Sequence, residues 1–286
     1  MMSITPRNIL EQMKSSQALK TTTLNNAREL GGYVMKDGRT VRRGKLLRTV
    51  LLKDASQEDL AVLQDEYDLR LILDMREADE IKRDPDPALS GVTWVQTPII
   101  DYSGMADLAA KLQGHQEFLH PTSTEDQIRG IAFFITEFGA DLAYAHYLES
   151  SYGQEGLKRF FKELLACPEG AVLWHCYTGK DRTGIAAGLI LEILGADWET
   201  ILADYELSGL YFEDRIQWAY HLALDLGYDK ALAEKIAALM TGVHADFLTR
   251  AWNYMYESWG SPLGYLKGAI GLSEEDISTL KERYLE

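Results

Sequence analysis

The chain has 286 residues, and 46% of them are hydrophobic, which is enough to bury a full core. Its 29 basic and 44 acidic residues leave a formal net charge of −15, which argues against binding to nucleic acid. An anionic substrate would need a locally positive pocket within this acidic protein.

The first third of the chain is predicted to contain short strands and one helix. The Asp-Gly pair at residues 37–38 suits a tight hairpin turn with a positive φ. A short strand is predicted at residues 46–48, and an amphipathic helix at 57–66. Residues 69–75 are apolar almost throughout, which is typical of a central strand that is covered on both faces.

The middle of the chain is predicted to be mainly helical. Residues 92–97 form one more strand, and helices follow from 102 to 168. Apolar residues recur at helical spacing between 126 and 138, which predicts either a stripe that faces the core or a mobile lid. The residues of this stripe are Ile128, Ile131, Phe134, Ile135 and Phe138. We therefore expect one domain of residues 1–286 with a helical insertion at about 102–166.

The last third begins with a buried strand at residues 171–174, which leads directly into His175 and Cys176. Residues 184–194 form an apolar helix that ends at Gly195, and Ser273 begins a capping-box-like start to the last helix. Strands that alternate with helices predict an α/β three-layer sandwich with a central, mostly parallel sheet. Ligands bind such sheets beyond the carboxyl ends of the strands.

Residues 175–184 read His-Cys-Tyr-Thr-Gly-Lys-Asp-Arg-Thr-Gly, so that five residues separate a cysteine from an arginine at the start of a helix. A loop that wraps into a helix N-terminus turns successive backbone N–H groups inward and forms an anion-binding nest. Gly179 and Gly184 permit the tight path and the close approach that this requires. The residues predicted to bind phosphate are Tyr177, Thr178, Gly179, Lys180 and Thr183.

Cys176 and Arg182 are the predicted catalytic residues. A cysteine attacks phosphorus as a thiolate, which a helix N-terminus and nearby cations stabilise. The planar guanidinium of Arg182 can hold two phosphate oxygens at once. Thr183 is expected to donate a hydrogen bond to the sulfur, and His175 to orient the loop from behind. A lone cysteine would be interpreted as a structural thiol. Here the cysteine, the two glycines, the arginine and the threonine occur together between a strand and a helix, and this combination predicts a covalent cysteinyl-phosphate.

This segment resembles the signature loop of protein tyrosine phosphatases, and most of all that of a bacterial tyrosine/dual-specificity phosphatase family with mycobacterial and listerial members. Asn-Ala-Arg-Glu-Leu-Gly-Gly at residues 26–32 resembles the opening motif of that family. Further similar motifs lie at residues 46–49, 73–76, 204–208 and 260–272. The chain departs from the family at Ala27, where an aromatic residue is usual, and at Tyr177-Thr178, where a small pair is common. The resemblance implies a protein tyrosine phosphatase-like fold and activity on phosphotyrosine and, more broadly, on phosphoserine or phosphothreonine.

The resemblance offers two positions for the general acid. It places an acid role at Asp181, inside the loop. Asp101 follows a predicted strand, roughly where tyrosine phosphatases in general carry an acid on a separate loop, and it is the alternative. The charged residues of the other motifs are expected to form structural salt bridges behind the site. These residues are Arg28, Arg48, Asp74 and Arg76.

The expected partners are phosphorylated proteins or, as the alternative, phosphoinositides, which the resemblance implies for some members and which Lys180 would suit electrostatically. A non-catalytic phosphopeptide-binding module is the remaining alternative, although such modules usually lose the cysteine or the arginine. The six histidines show no ligand spacing, so we expect neither a metal nor another cofactor. Cys167 is expected to be a packed side chain rather than a resolving thiol.

The sequence contains no run of about 18 apolar residues and no apolar core of a secretory signal. Two cysteines are also too few to suggest a disulfide framework. We therefore expect no stable membrane insertion and a cytoplasmic location, and signal-less export is left open.

Overall fold

The computed structural model describes residues 4–100, 123–138, 144–167 and 169–286. A five-stranded sheet lies at the centre of this described part. Its strands in chain order are β1 (Arg28–Glu29), β2 (Leu46–Thr49), β3 (Leu69–Asp74), β4 (Thr93–Gln96) and β5 (Ala171–His175). Their order across the sheet is β1-β2-β5-β3-β4, with β1 antiparallel to β2 and all other pairs parallel. The predicted α/β fold with a mostly parallel sheet is confirmed.

Strand β5 occupies the middle of the sheet, because it pairs with β2 on one side and β3 on the other. All five of its residues are buried, as expected for an apolar strand covered on both faces. The pairing aligns Thr49, His175 and Asp74 at the carboxyl ends of the three strands. The residues that follow β5 are therefore surrounded by the ends of its two neighbours.

The helices of the described residues surround this sheet. They are α1 (Arg7–Gln17), α2 (Gln57–Ala61), α3 (Ala78–Arg83), α4 (Thr124–Phe138), α5 (Tyr144–Glu149), α6 (Ser151–Ala166), α7 (Asp181–Leu194), α8 (Trp198–Tyr211), α9 (Glu213–Asp225), α10 (Lys230–Thr241), α11 (Ala245–Trp259), α12 (Pro262–Tyr265) and α13 (Glu274–Tyr284). Short π-helical segments continue α2 over Val62–Glu66 and α12 over Leu266–Ile270.

The main core lies on the face of the sheet that α6 and α7 cover. Helix α7 is buried along almost its whole length, and Phe160 of α6 packs edge-on against Trp174 of β5. The opposite face is covered by the π-helical continuation of α2, which contributes Leu63, and by extended segments that contribute residues such as Leu24. Burial on both faces explains why the parallel strands lack an alternating polar pattern.

A separate apolar cluster forms between α4, α9 and α10, which we call the outer helices. Ile128 and Ile135 of the predicted stripe are buried in it, together with Ala223, Ala233 and Ile236. The stripe therefore packs against neighbouring helices rather than against the sheet. The parts of the predicted insertion at 101–122 and 139–143, and the side chain of Phe138, lie outside the described residues.

Several local predictions are confirmed. Gly38 has a φ of +86°, and the Met35 N–H donates to the Arg39 carbonyl at 2.8 Å, which closes the predicted hairpin turn. Gly195 ends α7 with a φ of +99°. Ser273 caps α13. Among the helices that the structure describes, none has the length and apolarity needed to span a membrane.

Candidate active site

The segment that joins β5 to α7 forms a tight loop at the centre of the sheet's carboxyl edge. We call residues 176–182 the cysteine loop. Gly179 has a φ of +66°, and a Cβ atom there would collide with the Thr49 backbone carbonyl. Only glycine can therefore follow this path without displacing β2. Helix α7 begins at Asp181, so the loop itself supplies the first helical turn.

Four successive carbonyl groups of the cysteine loop accept hydrogen bonds from residues that lie in or beside β1 and β2. The Tyr177 carbonyl accepts from the Leu51 N–H at 3.3 Å. Asn26 Nδ2 donates to the carbonyls of residues 178 and 179, at 3.4 and 2.9 Å. Arg48 Nη2 donates to those of residues 179 and 180, at 2.9 and 3.4 Å. The carbonyl of residue 180 also accepts from the Gly184 N–H at 2.7 Å, as part of helix α7. Because a trans peptide directs its N–H opposite to its C=O, the N–H groups of residues 178–180 point away from these donors. This is the arrangement of an anion-binding nest.

A buried charge cluster supports the loop from behind. Asp204 on α8 accepts from Arg28 Nε at 3.0 Å and from Arg48 Nη1, and also from the Tyr33 hydroxyl at 3.1 Å. Both guanidinium groups are fully buried. Burial and the neighbouring Arg28 lower the pKa of Arg48 to about 10, against the opposing effect of Asp204, so it remains charged at neutral pH. Two cations and one carboxylate leave one positive charge behind the loop.

Glu80 on α3 holds Arg182 in a bidentate ion pair. Arg182 Nη2 donates to Glu80 Oε1 at 2.8 Å, and Nη1 donates to Oε2 at 2.5 Å and to the Met75 carbonyl at 3.2 Å. Burial alone would raise the pKa of Glu80, but Arg182 outweighs burial and keeps this pKa below its usual value. Glu80 was not among the site residues predicted from the sequence. The only local signal was the Glu-x-x-Glu spacing at the start of a helix that follows a central strand.

His175 is fully buried at the end of β5. Its Nε2 lies 3.0 Å from Asp86 Oδ2, and its Nδ1 lies 3.1 Å from the Cys176 carbonyl oxygen. Burial would lower the pKa of His175, but the carboxylates of Asp74 and Asp86 outweigh it and raise this pKa. The imidazole thus connects the cysteine loop to β3 and to residue 86, in line with the predicted orienting role.

Asp74, Asp86 and His175 lie close enough together to suggest a metal site. Arg76 already forms ion pairs with both carboxylates of this cluster. Its Nη2 donates to Asp74 Oδ2 at 2.7 Å and to Asp86 Oδ2 at 2.8 Å. Since a guanidinium occupies the space between the carboxylates, the donor set does not fit a cation. The salt bridges expected for Arg76 and Asp74 are present.

Asp181 and Thr183 lie in the first turn of α7. Asp181 is partly exposed and lines the cavity, and its Oδ1 accepts from the Tyr205 hydroxyl at 3.3 Å. The hydroxyl of Thr183 is buried, and no described residue hydrogen-bonds to it. It is therefore available to a sulfur or phosphate atom, and the predicted bond to Cys176 stays a prediction. The alternative acid, Asp101, lies outside the described residues.

Lys180 and Tyr177 extend from the loop to different neighbours. Lys180 Nζ donates to the Gly242 carbonyl at 2.8 Å and to the Met240 carbonyl at 3.4 Å, at the C-terminal end of α10. Burial lowers the pKa of Lys180, against the opposing charge of Asp181. The Tyr177 hydroxyl donates to Asp84 Oδ2 at 3.1 Å. Their predicted contacts with phosphate stay predictions.

A cavity of about 530 Å³ opens between the cysteine loop and the outer helices, and this volume lies within the range of small-molecule sites. Its inner wall is formed by Glu80, Arg83, Asp84, Tyr177, Thr178, Lys180, Asp181 and Arg182. Its outer wall is formed by Ser123, Thr124, Gln127, Ile131, Leu239 and Met240. Cys176 is not part of the lining and has 2% of its surface exposed, so a phosphate would have to enter the loop itself to meet the sulfur.

Cys167 lies at the other end of β5 from Cys176. Strand β5, which is about 16 Å long, lies between them, so a disulfide would need rearrangement of the strand. The Cys167 thiol contacts the Glu169 carbonyl at 3.5 Å, and burial raises its pKa against the opposing charge of Arg283. This agrees with a packed side chain.

Comparison with known proteins gives a consistent result. A sequence model described as a tyrosine phosphatase family matches residues 19–286. The chain is 31% identical over 272 residues to a Cupriavidus necator protein named provisionally as a tyrosine-protein phosphatase, covering 92% of this chain and 86% of that one. It is 29% identical to a Nostoc commune tyrosine-protein phosphatase, and the match covers 81% of this chain and 70% of that protein. It is 26% identical to the triple specificity protein phosphatase PtpB of Mycobacterium tuberculosis, and the match covers 86% of this chain and 91% of that protein.

Proposed function

The chain belongs to the tyrosine phosphatase family, and we propose that it hydrolyses phosphotyrosine esters of proteins through a cysteinyl-phosphate on Cys176. The observation that carries the proposal is the depth of the thiol within the cysteine loop. Only 2% of Cys176 is exposed, and the loop is supported from behind so that its N–H groups point inward. A long, flat tyrosyl group can deliver a phosphate to that depth more readily than a serine side chain.

In the first step, the Cys176 thiolate attacks phosphorus, an S–P bond forms, and the bond from phosphorus to the tyrosyl oxygen breaks. The Asp181 carboxyl gives its proton to the departing oxygen, so that the product leaves as a neutral phenol. Arg182 and the loop N–H groups bind the non-bridging oxygens, where negative charge is concentrated in the transition state. The step leaves a cysteinyl-phosphate and an Asp181 carboxylate.

In the second step, a water molecule replaces the phenol. The Asp181 carboxylate takes a proton from the water as its oxygen attacks phosphorus, and the S–P bond breaks. The sulfur leaves as a thiolate, which the buried Thr183 hydroxyl is available to stabilise. Inorganic phosphate is released, and Asp181 returns to its protonated form.

The charges around the cavity favour a phosphate monoester over a polyphosphorylated lipid headgroup. The described lining contains three cationic and three acidic side chains. Glu80 pairs with Arg182, and the Lys180 ammonium is bound to carbonyl groups at the end of α10. The second phosphate of an inositide would therefore meet mainly Arg83. Phosphoinositides are the second candidate substrate, because Arg83 and Lys180 do line the cavity. The name of the triple specificity relative supports a substrate range wider than phosphotyrosine, and we include phosphoserine and phosphothreonine as weaker substrates.

We further propose that residues 1–286 form one phosphatase domain in which the outer helices act as a lid. Helices α4 and α10 line the cavity opposite the loop, but they pack in an apolar cluster of their own. Binding of vanadate, a phosphate analogue, should then slow amide hydrogen exchange in both helices. Unchanged exchange would indicate a static wall. A reducing compartment such as the cytoplasm would keep Cys176 reduced, which supports the expected location.

The central experiment is hydrolysis of a phosphotyrosyl peptide by the wild-type protein, Cys176→Ser and Cys167→Ser, with reductant and without added metal. We expect Cys176→Ser to lose turnover but still bind vanadate, and Cys167→Ser to match the wild type. Rapid quenching should trap phosphate on the wild-type protein and not on Cys176→Ser. Full activity of Cys176→Ser would contradict the mechanism. Binding of the peptide by the wild type without turnover would favour a binding module.

A second set of assays identifies the substrate and the acid. We expect kcat/KM for the phosphotyrosyl peptide to exceed that for a short-chain phosphoinositide by at least about tenfold, and the reverse order would favour the second candidate. Asp181→Asn should lower kcat/KM by about 100-fold on phenyl phosphate, and by less on p-nitrophenyl phosphate, whose leaving group needs less protonation. The same pattern in Asp101→Asn, instead of Asp181→Asn, would move the acid to residue 101.

A further inference from the structure

The hydroxyl of Tyr205 contacts the carboxylate of Asp181. Tyr205 lies on α8, with 1% of its surface exposed, and its hydroxyl donates to Asp181 Oδ1 at 3.3 Å. This is long for a bond between two oxygens, but catalytic hydrogen bonds are often long before substrate binds. Our sequence analysis assigned no role to this tyrosine.

The ring of Tyr205 is held by its packing. Gly184, in the first turn of α7, lies so close that a Cβ atom there would be 2.6 Å from the Tyr205 Cδ2 atom. The preceding residue on α8, Asp204, is fixed by its bonds to Arg28 and Arg48. The phenol is therefore a rigid hydrogen-bond donor placed against the helix turn that carries Asp181.

Asp181 needs such a donor because of its position at the start of a helix. An aspartate side chain in a first helical turn readily turns back toward the free N–H groups of that turn. In that orientation its proton would point away from the leaving group. A bond from Tyr205 to Oδ1 keeps the carboxyl group turned toward the cavity and leaves Oδ2 to carry the proton. The same bond persists after the proton has left, when Asp181 must act as the base.

We propose that Tyr205 is a positioning residue for proton transfer, which fixes Asp181 and does not itself exchange a proton with the substrate. The inference rests on the proposed function, since it takes Asp181 as the general acid. It gives a role to the Asp-Tyr pair at residues 204–205. Asp204 supports the loop that binds the phosphate, and Tyr205 supports the acid that protonates the leaving group.

The test compares Tyr205→Phe with Tyr33→Phe, each against two substrates. Each variant removes one hydroxyl group, on a buried tyrosine, that donates to an aspartate: Tyr205 to Asp181, and Tyr33 to Asp204 Oδ1 at 3.1 Å. Only Tyr205 contacts Asp181, and its phenylalanine variant keeps the ring that packs against Gly184. The substrates are phenyl phosphate, whose leaving group has a pKa of about 10 like that of tyrosine, and p-nitrophenyl phosphate, whose leaving group is more acidic.

We expect Tyr205→Phe to lower kcat/KM on phenyl phosphate by about fivefold more than on p-nitrophenyl phosphate, on the scale of one lost hydrogen bond. Tyr33→Phe should change both rates by the same factor. In an Asp181→Asn background, Tyr205→Phe should have no further selective effect, because no acid is left to position. Melting temperatures of both phenylalanine variants verify that the fold is kept.

The outcomes separate the inference from the proposed function. If Asp181→Asn shows the leaving-group effect but Tyr205→Phe behaves like Tyr33→Phe, the positioning role is wrong and the acid assignment stands. If the selective effect of Tyr205→Phe persists in the Asp181→Asn background, the tyrosine acts by another route and the inference is overturned. If Asp181→Asn shows no leaving-group effect at all, both the acid assignment and the inference fail.

Discussion

The buried carboxylate of Asp204 provides the strongest test of how the cysteine loop is supported. Replacing Asp204 by asparagine keeps the size of the side chain and removes the charge that two fully buried guanidinium groups share. The asparagine also places an amide donor near the donors of Arg28 and Arg48. Loss of one partner from a buried ionic network lowers the free energy of unfolding by about 3–5 kcal/mol.

This cost predicts a large loss of thermal stability. At about 2–4 °C per kcal/mol for a domain of this size, Asp204→Asn should lower the melting temperature by about 10 °C. It should also lower kcat/KM, because Arg48 donates to two carbonyl groups of the loop and Arg28 to Asn26. Thermal and urea unfolding, followed by circular dichroism, measure the first effect. Peptide hydrolysis measures the second.

Asp197→Asn is the matched control. Asp197 caps the same helix, α8, and accepts from the Thr200 N–H at 2.8 Å in an exposed position. Asparagine caps a helix about as well as aspartate, so this variant should lose little stability. If Asp204→Asn were no less stable than Asp197→Asn, the two buried arginines would not depend on Asp204, and the proposed support of the loop would be refuted.

Three further variants test the surroundings of the site. Glu80→Gln replaces the charged partner of Arg182 with a neutral one, so kcat/KM should fall about tenfold. Burial raises the pKa of Glu77 to about 7, against the opposing effect of Tyr152. Because the folded protein holds this proton more tightly than the unfolded chain, the free energy of unfolding of the wild type should fall as the pH rises from about 4.5 to 7. The free energy of unfolding of Glu77→Gln, measured by urea unfolding, should therefore rise by about 1–2 kcal/mol relative to that of the wild type between pH 5 and pH 8. Lys180→Met removes the donor to the end of α10, so amide hydrogen exchange there should become faster.

Exposed residues of the same type serve as controls. Glu58→Gln, on α2, should change neither kcat/KM nor the dependence of stability on pH. Lys230→Met, at the exposed start of α10, should leave exchange at the end of that helix unchanged. Equal effects of Glu80→Gln and Glu58→Gln would show that the ion pair between Glu80 and Arg182 does not contribute to activity. If Glu77→Gln were more stable than the wild type at pH 5 rather than at pH 8, Glu77 would ionise more easily in the folded protein than in the unfolded chain. Unaltered exchange in Lys180→Met would show that the lysine bond does not stabilise α10.

Local patterns in the sequence predicted most of the fold that positions the site. The apolar run of β5, the glycine that ends α7 and the Asp-Gly turn at residues 37–38 each depend on interactions within a few residues. The start of α7 was predicted three residues late, at 184 instead of 181. The charged residues of the loop carry no helical apolar pattern, although the Gly184 N–H donates to the Lys180 carbonyl at 2.7 Å and closes the first turn.

The partners of the functional side chains could not be predicted, because they come from distant parts of the chain. Glu80 and Arg182 are 102 residues apart, and Arg28 and Asp204 are 176 apart. Sequence analysis expected buried salt bridges for Arg28 and Arg48, but no local rule selects Asp204 as their shared acceptor. The direction of Lys180 depends on the position of α10, which only the tertiary structure provides.

The charge distribution leads to a prediction about salt. In the proposed function, the attraction for phosphate would come from the loop N–H groups and the buried arginines, which act at short range, whereas the net charge of −15 repels anions at long range. Screening shortens the reach of surface charge from about 30 Å at 10 mM salt to about 8 Å at 150 mM. For a strongly acidic phosphotyrosyl peptide, KM should therefore fall severalfold over this range. A peptide with asparagine in place of its acidic residues should show little change. If KM for the acidic peptide rose with salt instead, a positive surface around the cavity would have to outweigh the acidic body of the protein.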